Sequence, residues 1–248
     1  LNCAQIGEPG TGKTRSLRTI LPFIKRQQKP FVILDFDSKF TDDPVAAKAV
    51  QDGFFILFDP GFKVSSGSFS DRIKKIESVP SKPPEGWMKI GDIIDDLDQN
   101  SDKFCGAAID TLTMLEDHIK EYISFSNRRA KFEYSDWTSL QLSYKELFRA
   151  FYSLKMPLKI INMHSQLEKD EDTGRLKLLP KIQGGFRDVA GSYPTEFFLT
   201  FAKPNPDKTK GPIYSWQIAP DSRFTSRSNI FEGKLDVPQD WEPICQKL

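Results

Sequence analysis

Five short apolar runs recur along the chain: Leu1 to Ile6, Phe31 to Asp35, Phe54 to Phe58, Phe104 to Asp110 and Leu158 to Met163. Continuous apolar runs of about four to eight residues suit strands buried on both faces of a parallel sheet. Helical periodicity separates them. Leu17, Ile20, Leu21 and Ile24 share one face of a helix predicted over Arg15 to Gln28. Leu112, Leu115, Ile119 and Tyr122 form a second stripe. Trp137, Leu140, Tyr144, Leu147, Phe148 and Phe151 form a third, with Asp136 as its N-cap. Alternating strands and helices predict an α/β fold around a wound, mostly parallel sheet flanked by helices. Late in the chain, Thr195 to Phe201 and Ile213 to Ala219 alternate across a Pro204 to Pro212 loop, predicting antiparallel edge strands. Gln166 to Leu179 reads as a polar hairpin around Asp172-Thr173-Gly174. Residues 63–84, rich in Ser, Lys and Pro, read as a surface excursion.

The first predicted loop carries chemistry. Gly7-Glu8-Pro9-Gly10-Thr11-Gly12-Lys13-Thr14 fits G-x-x-x-x-G-K-[ST] between a strand and a helix that begins at Arg15. Glycines let successive backbone N–H groups turn inward around an anion without a Cβ clash. Lys13 can reach the outer phosphates of a nucleoside triphosphate, and the Thr14 hydroxyl can bind Mg²⁺. The cofactors this predicts are ATP and Mg²⁺.

Length and composition narrow the setting. A chain of 248 residues is expected to form one α/β domain over residues 1–248. It begins at Leu1 inside its first strand without an initiator Met, so a preceding element is expected. With 35 Lys+Arg against 34 Asp+Glu, the chain is no polycation, and any nucleic-acid contact must use local basic patches. Cys3, Cys105 and Cys245 stand alone in apolar surroundings, as buried thiols of a reducing compartment do. With His118 and His164 as the two histidines, the cysteines offer no zinc pattern. No signal peptide is visible, and no apolar run reaches the ~18 residues of a membrane span. The expected location is the cytoplasm, with no membrane partner.

Asp110 closes an apolar strand in Ala107-Ala108-Ile109-Asp110, the Walker B pattern, and is the expected Mg²⁺ carboxylate. Asp35 and Asp59 close strands too and compete for the role. Asp37, just past the second strand, is the first choice to orient water for hydrolysis. Glu116 reads as an ordinary acid in the first turn of its helix. His164 follows the fifth strand in Asn162-Met163-His164-Ser165-Gln166, placed to touch a γ-phosphate.

The P-loop, Leu34-Asp35-Phe36-Asp37, Ala108-Ile109-Asp110-Thr111-Leu112, Asn162-Met163-His164 and Asp221-Ser222-Arg223 to Arg227 occur in that order. Together they resemble the RecA-like core ATPases of bacteriophages, the short AAA-type, Sak-family single-strand annealing proteins related to recombinases and ring helicases. The resemblance implies a RecA-type P-loop NTPase core, ATP bound between subunits, and action on single-stranded DNA as a homo-oligomeric ring or filament in homologous recombination. A single-strand DNA-binding protein is a further implied partner, and the bacterial host cytoplasm the implied location. The recombinase pattern has Glu where this chain has Asp37, one methylene shorter, and often Gln where it has His164. Residues 164–195 correspond to the DNA-facing loops and carry Lys169, Arg175, Lys177, Lys181 and Arg187, with Phe186 among glycines; the alternative is a solvated hairpin with Phe186 starting a core-packed helix, since Glu168, Asp170, Glu171 and Asp172 dilute the charge. Cations and an aromatic ring suit phosphate neutralisation and base stacking. Arg223 and Arg227 correspond to a basic pair that reaches the neighbour's γ-phosphate.

Three other classes use the same ATP site: a helicase or helicase loader, a small-molecule kinase, and a nucleotide-gated interaction module with little turnover. A kinase usually carries an arginine-dense lid, and no such stretch is obvious.

Overall fold

In the computed structural model, residues 1–58, 85–169 and 174–248 are described. The excursion read at 63–84, the strand-closing Asp59 and the tip of the hairpin at Asp172-Thr173 lie outside them. Five parallel strands form the centre: β1 (Asn2–Gly7), β2 (Phe31–Asp35), β3 (Phe55–Phe58), β4 (Gly106–Asp110) and β5 (Leu158–Lys169). Three late strands, β7 (Glu196–Lys203), β8 (Ile213–Gln217) and β9 (Asp236–Pro238), extend the sheet, in the order β3-β2-β4-β5-β1-β7-β8-β9. β6 (Leu176–Pro180) pairs with the far half of β5. The P-loop strand β1 and the Asp110 strand β4 are thus separated by β5, in an α/β core with a mostly parallel sheet.

The pleat sorts successive residues onto opposite faces. Ala4, Val32, Leu34, Ala107, Ile109 and Ile161 enter one core with α4 (Glu85–Gln99), α5 (Leu112–Ser126) and α6 (Tyr134–Ser153). Cys3, Ile33, Ala108 and Ile160 enter the other with α1 (Lys13–Leu17), α2 (Leu21–Gln27) and α3 (Pro44–Gln51). Two short helices complete the chain: α7 (Phe186–Val189) on the first face and α8 (Glu242–Cys245) on the second.

Four details differ from the sequence-based expectations. The first helix is interrupted by a 3₁₀ turn over Arg18–Ile20. Pro22 explains the break, because its ring lacks an N–H and crowds the carbonyl four residues back, that of Arg18. Helix α6 starts three residues early, so Glu133 is its N-cap and Asp136 sits at N3, each side chain accepting the other's backbone N–H. β5 continues through His164 to Lys169, because its second half gains β6 as an antiparallel partner. β7 runs parallel to β1; the antiparallel edge begins one strand later, where β8 pairs with β7.

All three cysteines are buried free thiols. Burial pushes Cys105 and Cys245 up to about 12. No helix among the described residues is long and apolar enough to cross a membrane.

Candidate nucleotide site

β1 delivers the chain to the loop at Gly7, whose neighbours leave no room for a side chain. A Cβ there would lie 2.0 Å from the Thr200 hydroxyl on β7. Gly12 is left-handed, with φ 88°, and a Cβ there would meet Gln239 and Tyr214. Strands β7 and β8 therefore press against the loop from outside. Thr11 Oγ1 lies 2.7 Å from Thr200 Oγ1 and donates to Glu8 O at 2.7 Å, while Gln239 Nε2 donates to Thr11 O at 2.9 Å. Lys13 is buried and turned back on its own loop, donating to Gly7 O at 2.7 Å and Glu8 O at 2.9 Å. Burial lowers it to about 8, against the pull of Asp110 and Asp37.

A cavity of about 420 Å³ opens over this loop, lined by Pro9, Gly10, Gly12, Lys13, Thr14 and Arg15. Asp37, Thr111, His164 and Tyr214 line it as well. Gly7, Glu8 and Thr11 shape the loop without lining the cavity. The Arg15 guanidinium sits 5.1 Å from the centre of the half-buried Tyr214 ring. A cation on an aromatic face, Lys13 and carboxylates thus line one cavity, groups suited to a nucleotide.

Asp110 is fully buried at the end of β4, beside Asp35 on β2. Its Oδ1 accepts from Asn162 Nδ2 at 3.0 Å. Its Oδ2 has no hydrogen-bond partner among the described residues, although the Thr14 hydroxyl lies near enough to favour the charge. Burial raises the carboxyl to about 6. A dry carboxylate oxygen without a donor, beside a hydroxyl of the P-loop, is a donor set that fits a hard divalent cation. The Asp35 carboxylate is occupied otherwise. It accepts from Lys39 N at 3.4 Å and Phe40 N at 3.0 Å, and so folds the loop that carries Asp37.

Asp37 and His164 meet in the cavity. His164 Nε2 is 3.9 Å from Asp37 Oδ2, and Lys39 Nζ is 3.7 Å from the same oxygen. The parallel register sets His164 beside Gly7. Burial, then the Lys13 charge, lowers His164 to about 4, so its ring is neutral near pH 7.

A polar network beneath the loop was not singled out in the sequence. Gln5 donates to Asn162 Oδ1 at 2.7 Å, to Ser16 Oγ at 3.0 Å and to Lys13 O at 3.2 Å. Its Oε1 accepts from Trp216 Nε1 at 2.9 Å, and Trp241 Nε1 donates to Ser16 Oγ at 3.1 Å. The signal was there: Gln5 and Asn162 are polar residues inside runs that must be buried, and buried polar groups need partners.

Residues expected to face DNA separate into two sets. Lys177 and Lys181 are exposed along the β6 side of the hairpin. Arg187 is half-buried and pairs with Glu168 at 2.7 Å. Phe186 is corrected: it is 1% exposed, stacked on Tyr144 at 5.2 Å and edge-on to Phe148. The apolar stripe of α6 needs a cover, and α7 supplies this ring. Arg227 is exposed and tied to its own chain. Its guanidinium donates to the carbonyls of Gly191, Pro194 and Thr195 in its own chain. It lies toward the Asn2 end of β1, whereas the P-loop leaves the opposite end. Arg223 is exposed beside Asp221, and its carbonyl accepts from Leu178 N of the hairpin. Glu116 is no solvated first-turn acid: it is buried and accepts from Tyr144 Oη and Gln183 N, both at 2.6 Å.

A family model described as an AAA domain matches residues 1–190. The chain belongs to this AAA-domain family. The match runs from β1 through α7, so both Walker segments and the hairpin fall inside it, while β7, β8 and β9 fall outside. No curated protein matches the sequence. Among solved structures, a KaiC-like protein, PH0186 of the hyperthermophilic archaeon Pyrococcus horikoshii OT3, is similar at 11% identity and TM-score 0.47, over 95% of this chain and 83% of that one. The AAA domain described here is a P-loop ATPase domain built on a mostly parallel sheet.

Proposed function

We propose that this ATPase domain hydrolyses ATP with Mg²⁺ and couples the nucleotide to single-stranded DNA in phage-type recombination or strand annealing, as a homo-oligomer. One observation carries the reading. β5 runs unbroken from His164, in the nucleotide cavity, to Lys169, and its partner β6 carries the exposed Lys177. One strand thus joins a phosphate-facing group to a basic hairpin. Backbone neutralisation by such cations suits a single strand.

The residues divide the work. Lys13 exchanges the Gly7 and Glu8 carbonyls for the outer phosphates. Asp110 and Thr14 would hold Mg²⁺, which neutralises charge developing on the transferred phosphoryl group. Asp37 orients the attacking water and accepts its proton. His164, neutral, donates its N–H to the γ-phosphate. Asn162 and Gln5 hold Asp110 in place. Assembly would bring Arg223 to the neighbour's phosphates, since Arg227 is committed within its own chain.

Steady-state ATPase rates with and without oligo-dT, over a salt series, test this. The expected result is stimulation by DNA, with an apparent affinity that falls steeply as salt rises. ATP turnover indifferent to DNA favours the kinase or gated-module reading. Stimulation by duplex accompanied by unwinding favours a helicase.

A further inference from the structure

A second cavity, of about 740 Å³, lies between α5, α6 and the segment following β6. The half-buried Trp137 ring forms one wall, set edge-on to Phe132 at 5.1 Å. Lys181 and Arg187 line the side toward the hairpin, and Gln166 and Gln183 add amide groups that both donate and accept. The Glu116 carboxylate on the α5 wall is already neutralised and saturated: Lys120 pairs with it at 2.5 Å, and Tyr144 and Gln183 donate to it. Asp117 remains as an exposed carboxylate at the rim.

This cavity is built onto the main chain of His164. Lys181 N donates to His164 O at 2.8 Å, and His164 N donates to Thr113 Oγ1 at 3.0 Å. Thr113 lines the second cavity while the His164 side chain lines the first. One peptide segment therefore borders both.

We propose that this second cavity receives one base of a single strand, stacked on Trp137, with Lys181 against the adjoining phosphate. An aromatic face, cations and amide edges converging in an open pocket match the chemistry of an unpaired nucleotide. The inference rests on the single-strand reading above and replaces the buried Phe186 as the stacking ring.

Intrinsic fluorescence gives a direct test. Of the four tryptophans, Trp216 and Trp241 are fully buried in the other core. Adding oligo-dT with ATP and Mg²⁺ should quench the wild-type emission, and Trp137→Phe should lose the quench while retaining most of the affinity for labelled oligo-dT. Trp137→Ala should weaken that affinity about 5- to 150-fold, the range that one base–aromatic stack commands. Circular dichroism checks that each variant is folded. The Phe variant keeps the test decisive if the Ala variant does not fold. Wild-type binding without quenching, or an Ala variant that binds like wild type, overturns the base pocket and leaves the single-strand reading intact. A wild type that binds no oligo-dT overturns both.

Discussion

The Asn162 amide donates to one oxygen of Asp110 at 3.0 Å, and the other oxygen has no hydrogen-bond partner among the described residues. One side of the carboxylate is pinned from the neighbouring strand, and the other is left open toward Thr14. Asn162→Ala should release the pinned oxygen. We expect Mg²⁺ affinity in the presence of ATP to fall about 10–100-fold, the usual cost of losing a residue that orients a metal ligand. A Mg²⁺ titration of ATPase activity measures it. An unchanged half-saturating concentration would remove Asn162 from the positioning role.

The same carboxylate makes stability depend on pH. Burial raises Asp110 from 3.8 to about 6, so the folded state holds its proton more tightly than the unfolded state does. The contribution to stability is fully present below the unfolded value of 3.8 and is lost as pH rises through about 6. Asp110→Asn lacks this titration. Without nucleotide or metal, the variant should gain on the wild type across that window, by up to about 3 kcal/mol at pH 7.5. Denaturant melts at pH 4.5 and 7.5 check it. A gap that stays constant with pH would contradict the burial of the charge.

Phe186 is a packing residue. Phe186→Ala should cost about 3–5 kcal/mol of stability, since it opens a cavity between Tyr144, Phe148 and Tyr193. Chemical denaturation reads this directly. A variant as stable as wild type that nonetheless lost DNA affinity would return the ring to the DNA surface.

Strands were legible in the sequence because both faces of a parallel sheet are buried, which leaves continuous apolar runs such as Phe31–Asp35. The P-loop was legible because its glycines are demanded by the backbone. Phe186 admits two readings from the sequence, because an aromatic among glycines and cations reads alike whether a distant helix covers it or not. The cover comes from α6, more than thirty residues earlier. Arg227 is ambiguous for a related reason: a guanidinium that binds three carbonyls of its own chain has the same sequence signature as one reaching a neighbour. β9 and α8 span three and four residues, too short for periodicity to register.

Arg223, rather than Arg227, should act in trans. Arg223→Ala and Lys13→Ala, each with low turnover alone, should regain ATPase activity when mixed, because some interfaces then pair an intact P-loop with an intact Arg223. A trans arginine commands roughly 10³–10⁵ in rate. Normal turnover by Arg223→Ala alone, or no recovery on mixing, would refute the assignment.

The central claim is that Lys13 leaves the carbonyls of Gly7 and Glu8 to hold the outer phosphates of ATP. Isothermal titration calorimetry of wild type and Lys13→Ala with ATP and Mg²⁺ tests it most directly. Lys13 is buried beside the cavity, so losing its charge should abolish tight binding while the protein stays folded. An Lys13→Ala protein that binds ATP as tightly as wild type would contradict the account.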